Sequence, residues 1–186
     1  MELYVLRHGM TTANKEKIAA SRMEGYYDDL TKEGVKQAHE ILPKLSIHKF
    51  DVIIISPLKR TTQTIQPYLD SLKIKPKVIV LDMVSERELG DLAGITMEEL
   101  GKIKKSSGFG TVEWIPPNGE SQFHVLDRAK KFIEYLRKNY NNNSKILLCS
   151  HTNFLRTLDI FLTGRDISEF PKEQGLKNGE LKKYII

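Results

Sequence analysis

The chain of 186 residues contains one cysteine, so it can close no internal disulfide. A lone thiol fits a reducing compartment. No apolar run approaches the ~20 residues that cross a bilayer. The opening residues, Met1-Glu2-Leu3-Tyr4, lack the basic and apolar regions of a secretion signal and lead straight into a strand pattern. A cytoplasmic protein with no membrane partner is expected. Metal-ligand spacings such as His-x-x-x-His are missing, and no metal or cofactor is expected. Neither an internal repeat nor a dividing linker is present, so residues 1–186 should form a single domain.

Charge of one sign is in modest surplus, 29 basic against 24 acidic residues, net +5. The lysines are scattered. The densest group, Lys102-Ile103-Lys104-Lys105, has no interleaved aromatics on which bases could stack. Asn139-Tyr140-Asn141-Asn142-Asn143 reads as a polar loop. No nucleic-acid partner is expected, and the positive field serves the arrival of a small anionic substrate.

What the chain does have is an alternation of strand and helix signals. Strands are expected at 2–7, 51–56, 77–81, 144–150 and 181–186. Helices are expected from Thr31 to Leu45, at 58–72, 96–105, 121–139 and 153–162. Thr31 is the expected cap of the first helix, with Val35, Ala38, Ile41, Leu42 and Leu45 inward. Ile65, Leu69 and Leu72 should face inward from the second. Val125, Ala129, Phe132, Ile133 and Leu136 mark the core face of 121–139. Residues 82–119 read as a lid-like excursion, and the stretch before Asp29 as polar and irregular.

Three strands end in arginine or histidine. Leu3-Tyr4-Val5-Leu6 runs into Arg7-His8-Gly9, Val52-Ile53-Ile54-Ile55 into Ser56-Pro57-Leu58-Lys59-Arg60, and Ile146-Leu147-Leu148-Cys149 into Ser150-His151. In an open α/β sheet such ends converge on one crevice. Two guanidiniums facing each other there make a site for a phosphate dianion. A neutral imidazole between them can attack phosphorus. The departing alkoxide then needs a proton, and Glu86, following the third strand, is the best placed acid. The like charge of a bound dianion favours the protonated form of an acid beside it.

These residues and their order resemble the histidine phosphatase superfamily, the phosphoglycerate mutase-like family, over nearly the whole chain. The likeness rests on Leu6-Arg7-His8-Gly9 with Asn14, Asp29-Leu30-Thr31 with Gly34, and the run Ser56 to Thr64. It continues through Glu86 with Gly90 and Gly94, Gly119-Glu120-Ser121, Ser150-His151 and the Asn178-Gly179 turn. The fold it implies is a three-layer α/β/α sandwich with a mostly parallel central sheet. It implies His8 as the phospho-accepting nucleophile and Glu86 as general acid, then base. It implies a phosphate pocket of Arg7, Arg60, His151 and Asn14, with His151 a cation or donor on a non-bridging oxygen and Thr152 also binding phosphate. His39, His48 and His124 fit surface or structural positions.

Departures from the family pattern are Met10 after the Arg-His-Gly motif, Glu24 before Gly25, a short Gly25–Leu30 segment, and Thr152-Asn153 after His151. Glu24 is expected to repel a second negative group on the substrate. Hydrolysis is favoured over mutase chemistry. The 94–119 excursion is short and holds lysines but no arginine, and Leu89 stands where mutases carry tyrosine, although Arg87 is kept. Phosphoprotein substrates stay open, as does a non-catalytic phosphate-binding scaffold. A cysteine-based phosphatase would need arginine at position 155; the residue there is Leu155, and Arg156 comes one step late.

Overall fold

The computed structural model describes residues 1–186. In chain order the elements are β1 (Glu2–Arg7), α1 (Thr12–Glu16), α2 (Lys32–Glu40), α3 (Leu42–Ser46), β2 (Val52–Ile55) and α4 (Lys59–Ser71). Then come β3 (Lys77–Val80), α5 (Met97–Ser106), α6 (Gln122–Asn139), β4 (Lys145–Ser150), α7 (Thr152–Leu162) and β5 (Leu181–Ile185).

The five strands form one sheet in the order β3-β2-β4-β1-β5. All neighbours run parallel except β5, which pairs antiparallel with β1. Two-residue periodicity splits the inner strands between two cores. Leu3, Val5, Val52, Ile54, Ile146 and Leu148 pack against α6 and α7 on one face. Tyr4, Leu6, Ile53, Ile55, Leu147 and Cys149 pack against α3 and α4 on the other. Strands buried on both faces read as continuous apolar runs, which is why these three were plain in the sequence. The architecture is the expected three-layer α/β/α sandwich. No helix is long and apolar enough to cross a membrane.

Several local expectations change. The helix expected from Thr31 to Leu45 is two helices, parting at Ile41. Pro43 has no N–H for the next intrahelical bond. Val35 was expected inward and is 46 % exposed, because the inward face of α2 is Gly34 and Ala38. The polar stretch before Asp29 holds α1, opened by a reciprocal cap between Thr11 and Asn14. Its five residues are too few to show a periodicity.

Gly34 permits a close approach. A Cβ there would lie 2.1 Å from the Met10 carbonyl, and one on Gly9 would lie 2.6 Å from the Gly34 carbonyl. The loop leaving β1 therefore rests on the backbone of α2, pinned by the Met10 carbonyl accepting from the Thr31 N–H at 2.9 Å. In an ordinary helix interior, Gly→Ala stabilises by about 1 kcal/mol. Here Gly34→Ala should instead destabilise by about 2 kcal/mol, through overpacking against backbone that cannot yield. Urea denaturation is the check, and a variant at least as stable as the parent would show that the contact does not matter.

Candidate active site

The C-terminal ends of β1, β2 and β4 open on a cavity of about 690 Å³. Arg7, His8, Asn14, Arg60, Glu86 and Thr152 line it. Six of the seven expected residues thus share one space, delivered by five different segments of chain.

His8 is 3 % exposed. Its Nδ1 lies 2.8 Å from the Gly9 carbonyl, which can only accept. Nδ1 therefore carries the proton, and Nε2 keeps a free lone pair. Burial, then the charges of Arg60 and Arg7, push the imidazole well below its usual pKa, against the opposing pull of the Gly9 carbonyl. The ring stays neutral at ordinary pH. The Gly9 N–H is held by Thr64 Oγ1 at 2.9 Å, which ties the loop to α4.

Arg60, in the first turn of α4, is anchored through each of its three nitrogens and keeps a further N–H on each Nη. It donates from Nη1 to Asp28 Oδ1 at 2.5 Å, from Nη2 to the Ser21 carbonyl at 2.9 Å, and from Nε to His151 Nδ1 at 3.0 Å. Asp28 is wholly buried and also accepts the Lys59 N–H at the start of α4. A buried ion pair so arranged fixes the guanidinium plane and needs both partners. Arg7 donates from Nη1 to the Leu176 carbonyl at 2.8 Å, while its buried Nε has no partner.

His151 differs from expectation. It sits behind the cavity wall, 0 % exposed, its ring centroid 5.2 Å from that of His8. Because Nδ1 accepts from Arg60, the proton lies on Nε2, which donates to Ser56 Oγ at 2.6 Å. Both ring nitrogens are spent inside the protein, and no donor is left for an oxygen in the cavity. Burial first, then Arg60, His8 and Arg7, hold this imidazole well below its usual pKa as well.

Asn14 turns its oxygen inward, accepting from the Thr11 N–H and from Asn178 Nδ2. Asn178 also donates to the His8 carbonyl at 3.0 Å, so the turn before β5 braces the loop that carries His8. Thr152 is the first residue of α7, at the end where backbone N–H groups face an anion.

Glu86 reaches across from the excursion. Its Oε1 accepts from the Arg87 N–H at 2.8 Å and the Asn153 N–H at 3.0 Å, fixing the carboxyl at the start of α7. The segment around it is clamped from several sides. Arg22 donates to the Glu86 carbonyl, Arg128 to the carbonyls of Met83 and Ser85, and Glu120 binds both Arg128 and the Glu88 N–H. That is the structural content of the Gly119-Glu120-Ser121 motif. The nearby acids Glu88 and Asp91 are absent from the cavity lining; Glu88 faces Ser21, and Asp91 binds Asn118.

Other expectations resolve as follows. Cys149 lies 0 % exposed in the core, where burial pushes its thiol far up; it is no nucleophile. His39 and His124 are exposed, and His48 packs on Tyr4. Glu24 is exposed and lines no part of the cavity. Sequence reasoning missed Asp28, Lys104 and Arg156. Arg156 lies four residues after Thr152, hence on the same face of α7, and that spacing was the available signal.

A profile of the "Histidine phosphatase superfamily (branch 1)" matches residues 3–185. A fructose-2,6-bisphosphatase TIGAR from Xenopus tropicalis is 35% identical over 136 residues, 72% of this chain and 49% of that protein. The chain thus spans about half the length of that relative. Phosphoserine phosphatase 1 from Hydrogenobacter thermophilus is 33% identical over 182 residues, 91% of this chain and 80% of that protein. Among solved structures, a phosphoserine phosphatase from Entamoeba histolytica in complex with 3-phosphoglyceric acid superposes with TM-score 0.79 at 26% identity, covering 99% of this chain and 90% of its own. The chain belongs to the histidine phosphatase superfamily.

Proposed function

We propose that the chain hydrolyses a small phosphorylated metabolite through a phosphohistidine intermediate. The single observation that carries this is the state of His8: buried, neutral, with Nδ1 bound to Gly9 and Nε2 free between two guanidiniums.

The proposed reaction uses these groups in turn. Arg7, Arg60 and the Asn14 amide hold the phosphoryl oxygens, and their fixed charge meets the charge that builds in the transition state. The Nε2 lone pair forms the N–P bond as the ester O–P bond breaks. Glu86 gives its proton to the departing oxygen. The resulting carboxylate then takes a proton from water as that water attacks phosphorus, the N–P bond breaks, and phosphate leaves with His8 restored. The Nδ1–H bond to Gly9 steadies the ring as it gains positive character. His151 acts on the phosphate through Arg60, holding the guanidinium with its Nδ1. The scheme uses guanidiniums where other phosphatases use metal ions.

The test is a pair of substrates. Glu86→Gln should lower kcat/KM for an alkyl phosphate roughly 10²–10⁴-fold, because an alkoxide needs the proton. An activated aryl phosphate, whose leaving group departs unprotonated, should lose far less. Equal losses on both would remove Glu86 from the role of acid.

A further inference from the structure

The peptide group that joins Gly9 to Met10 is held at both ends. Its carbonyl accepts from His8 Nδ1 at 2.8 Å, and its N–H donates to Gln37 Oε1 at 2.8 Å. A peptide unit is planar and trans, so where the N–H points decides where the carbonyl points. The peptide groups on either side are pinned separately. The Gly9 N–H goes to Thr64 Oγ1, and the Met10 carbonyl accepts from both the N–H and the hydroxyl of Thr31. Between these two anchors the Gly9–Met10 plane is free to swivel unless something grips it, because a glycine on one side resists rotation little.

Gln37 supplies the grip. It lies three residues after Gly34 on α2, so both face the loop that leaves β1. The close approach that Gly34 permits brings the Met10 nitrogen within reach; a Cβ on Gly34 would lie 2.9 Å from it. On its other side the Gln37 stem meets the Asn178-Gly179 turn, where a Cβ on Gly179 would lie 3.0 Å from the Gln37 Cβ. Backbone on both sides thus confines the half-buried side chain. The Met10 N–H can only donate, so the amide must offer its oxygen. Gln37 itself is not among the residues lining the cavity.

We infer that Gln37 is a positioning residue for His8, which holds the Gly9–Met10 peptide so that its carbonyl keeps the imidazole proton on Nδ1 and leaves the His8 Nε2 lone pair to the cavity. The inference rests on the reading of His8 as nucleophile. The tautomer of a histidine is set by the hydrogen bond that its other nitrogen makes. Here that acceptor is only as steady as its peptide plane. The relay also polarises the peptide. An N–H engaged by Gln37 makes the carbonyl at the other end a stronger acceptor, which favours the ring as it gains positive character.

The test separates the oxygen from the bulk. Gln37→Met keeps the length of the side chain and removes the acceptor, whereas Gln37→Glu keeps the acceptor. Methionine and glutamate are both good helix formers, so α2 is retained. On an aryl phosphate Gln37→Met should lower kcat/KM roughly 10–10²-fold, the scale of a displaced reacting group. Its affinity for inorganic phosphate, which needs only the guanidiniums, should be unchanged. Gln37→Glu should recover most of the loss. Nitrogen NMR of the His8 ring in the resting enzyme should find the proton on Nδ1 in the parent and in Gln37→Glu, and a mixture of tautomers in Gln37→Met. An unaltered kcat/KM or an unaltered tautomer in Gln37→Met, or a Gln37→Glu protein equally impaired, would overturn the inference. The tautomer is read without turnover, so this failure is distinct from that of the phosphohistidine mechanism, which would show as activity surviving His8→Ala.

Discussion

His8→Ala is expected to lower kcat/KM for an aryl phosphate by roughly three orders of magnitude or more, with the fold intact. No other imidazole and no thiol opens on the cavity. The Cys149 thiol is sealed in the core, and both nitrogens of His151 are engaged. Two further readouts belong to this result. Rapid alkaline quench of the parent enzyme during turnover should trap an acid-labile phosphoryl group on the peptide that begins the chain, and His8→Ala should yield none. The acid side of the pH profile should also be distinctive. Burial and two guanidiniums depress the His8 pKa, so the ring stays a nucleophile below the usual value of 6.5. The profile of kcat/KM reports the free enzyme. It should therefore show no loss attributable to His8 as pH falls through 6.5. The same depression has a stability sign. Below 6.5 the unfolded chain takes up a proton that the folded ring refuses, so stability falls as pH drops from 6.5 toward the folded pKa. A rate that fell in step with an ordinary imidazole, or turnover surviving His8→Ala, would end the mechanism proposed.

Asp28→Ala should give the second large effect, this time on the whole domain. The substitution leaves the Arg60 guanidinium buried without its carboxylate, and takes from the Lys59 N–H its acceptor at the start of α4. Breaking a buried pair from one side costs about 3–5 kcal/mol. At roughly 2–4 °C per kcal/mol for a domain of this size, Tm should fall by about 10 °C. Activity should fall beyond the loss of folded protein, since Arg60 no longer has a fixed plane. The double variant Asp28→Leu, Arg60→Met separates these effects, because paired apolar replacements often restore stability. Calorimetry should find it more stable than Asp28→Ala, and assays should find it inactive. An Asp28→Ala protein that melted with the parent would show that the pair contributes nothing.

The parts legible in the sequence share a cause. β1, β2 and β4 are continuous apolar runs because helices cover both faces, and each ends at the cavity. Their endings, Arg7-His8, Arg60 and His151, could therefore be read as one cluster. α6 announced itself through Val125, Ala129, Phe132, Ile133 and Leu136, all buried as expected. What escaped notice was set by contacts distant in sequence. Asp28 has no periodicity, and its partner lies 32 residues on. Nothing in Ser150-His151 says that Ser56 and Arg60 occupy both nitrogens of the ring. In the sequence Arg156 stands out only as a misplaced member of a cysteine loop, since its neighbours across the cavity belong to other elements. Glu24, flagged as a repulsive departure, faces solvent.

The helix that roofs the cavity contributes four lining positions, Met97, Leu100, Gly101 and Lys104, yet hides none of its ten residues from water. Replacing such residues shifts folding free energy by only about 0.5 kcal/mol. Selection can therefore rewrite the roof one residue at a time while the sheet and its catalytic floor stay as they are. Chains sharing this scaffold are free to diverge in diet without ever passing through an unfolded ancestor.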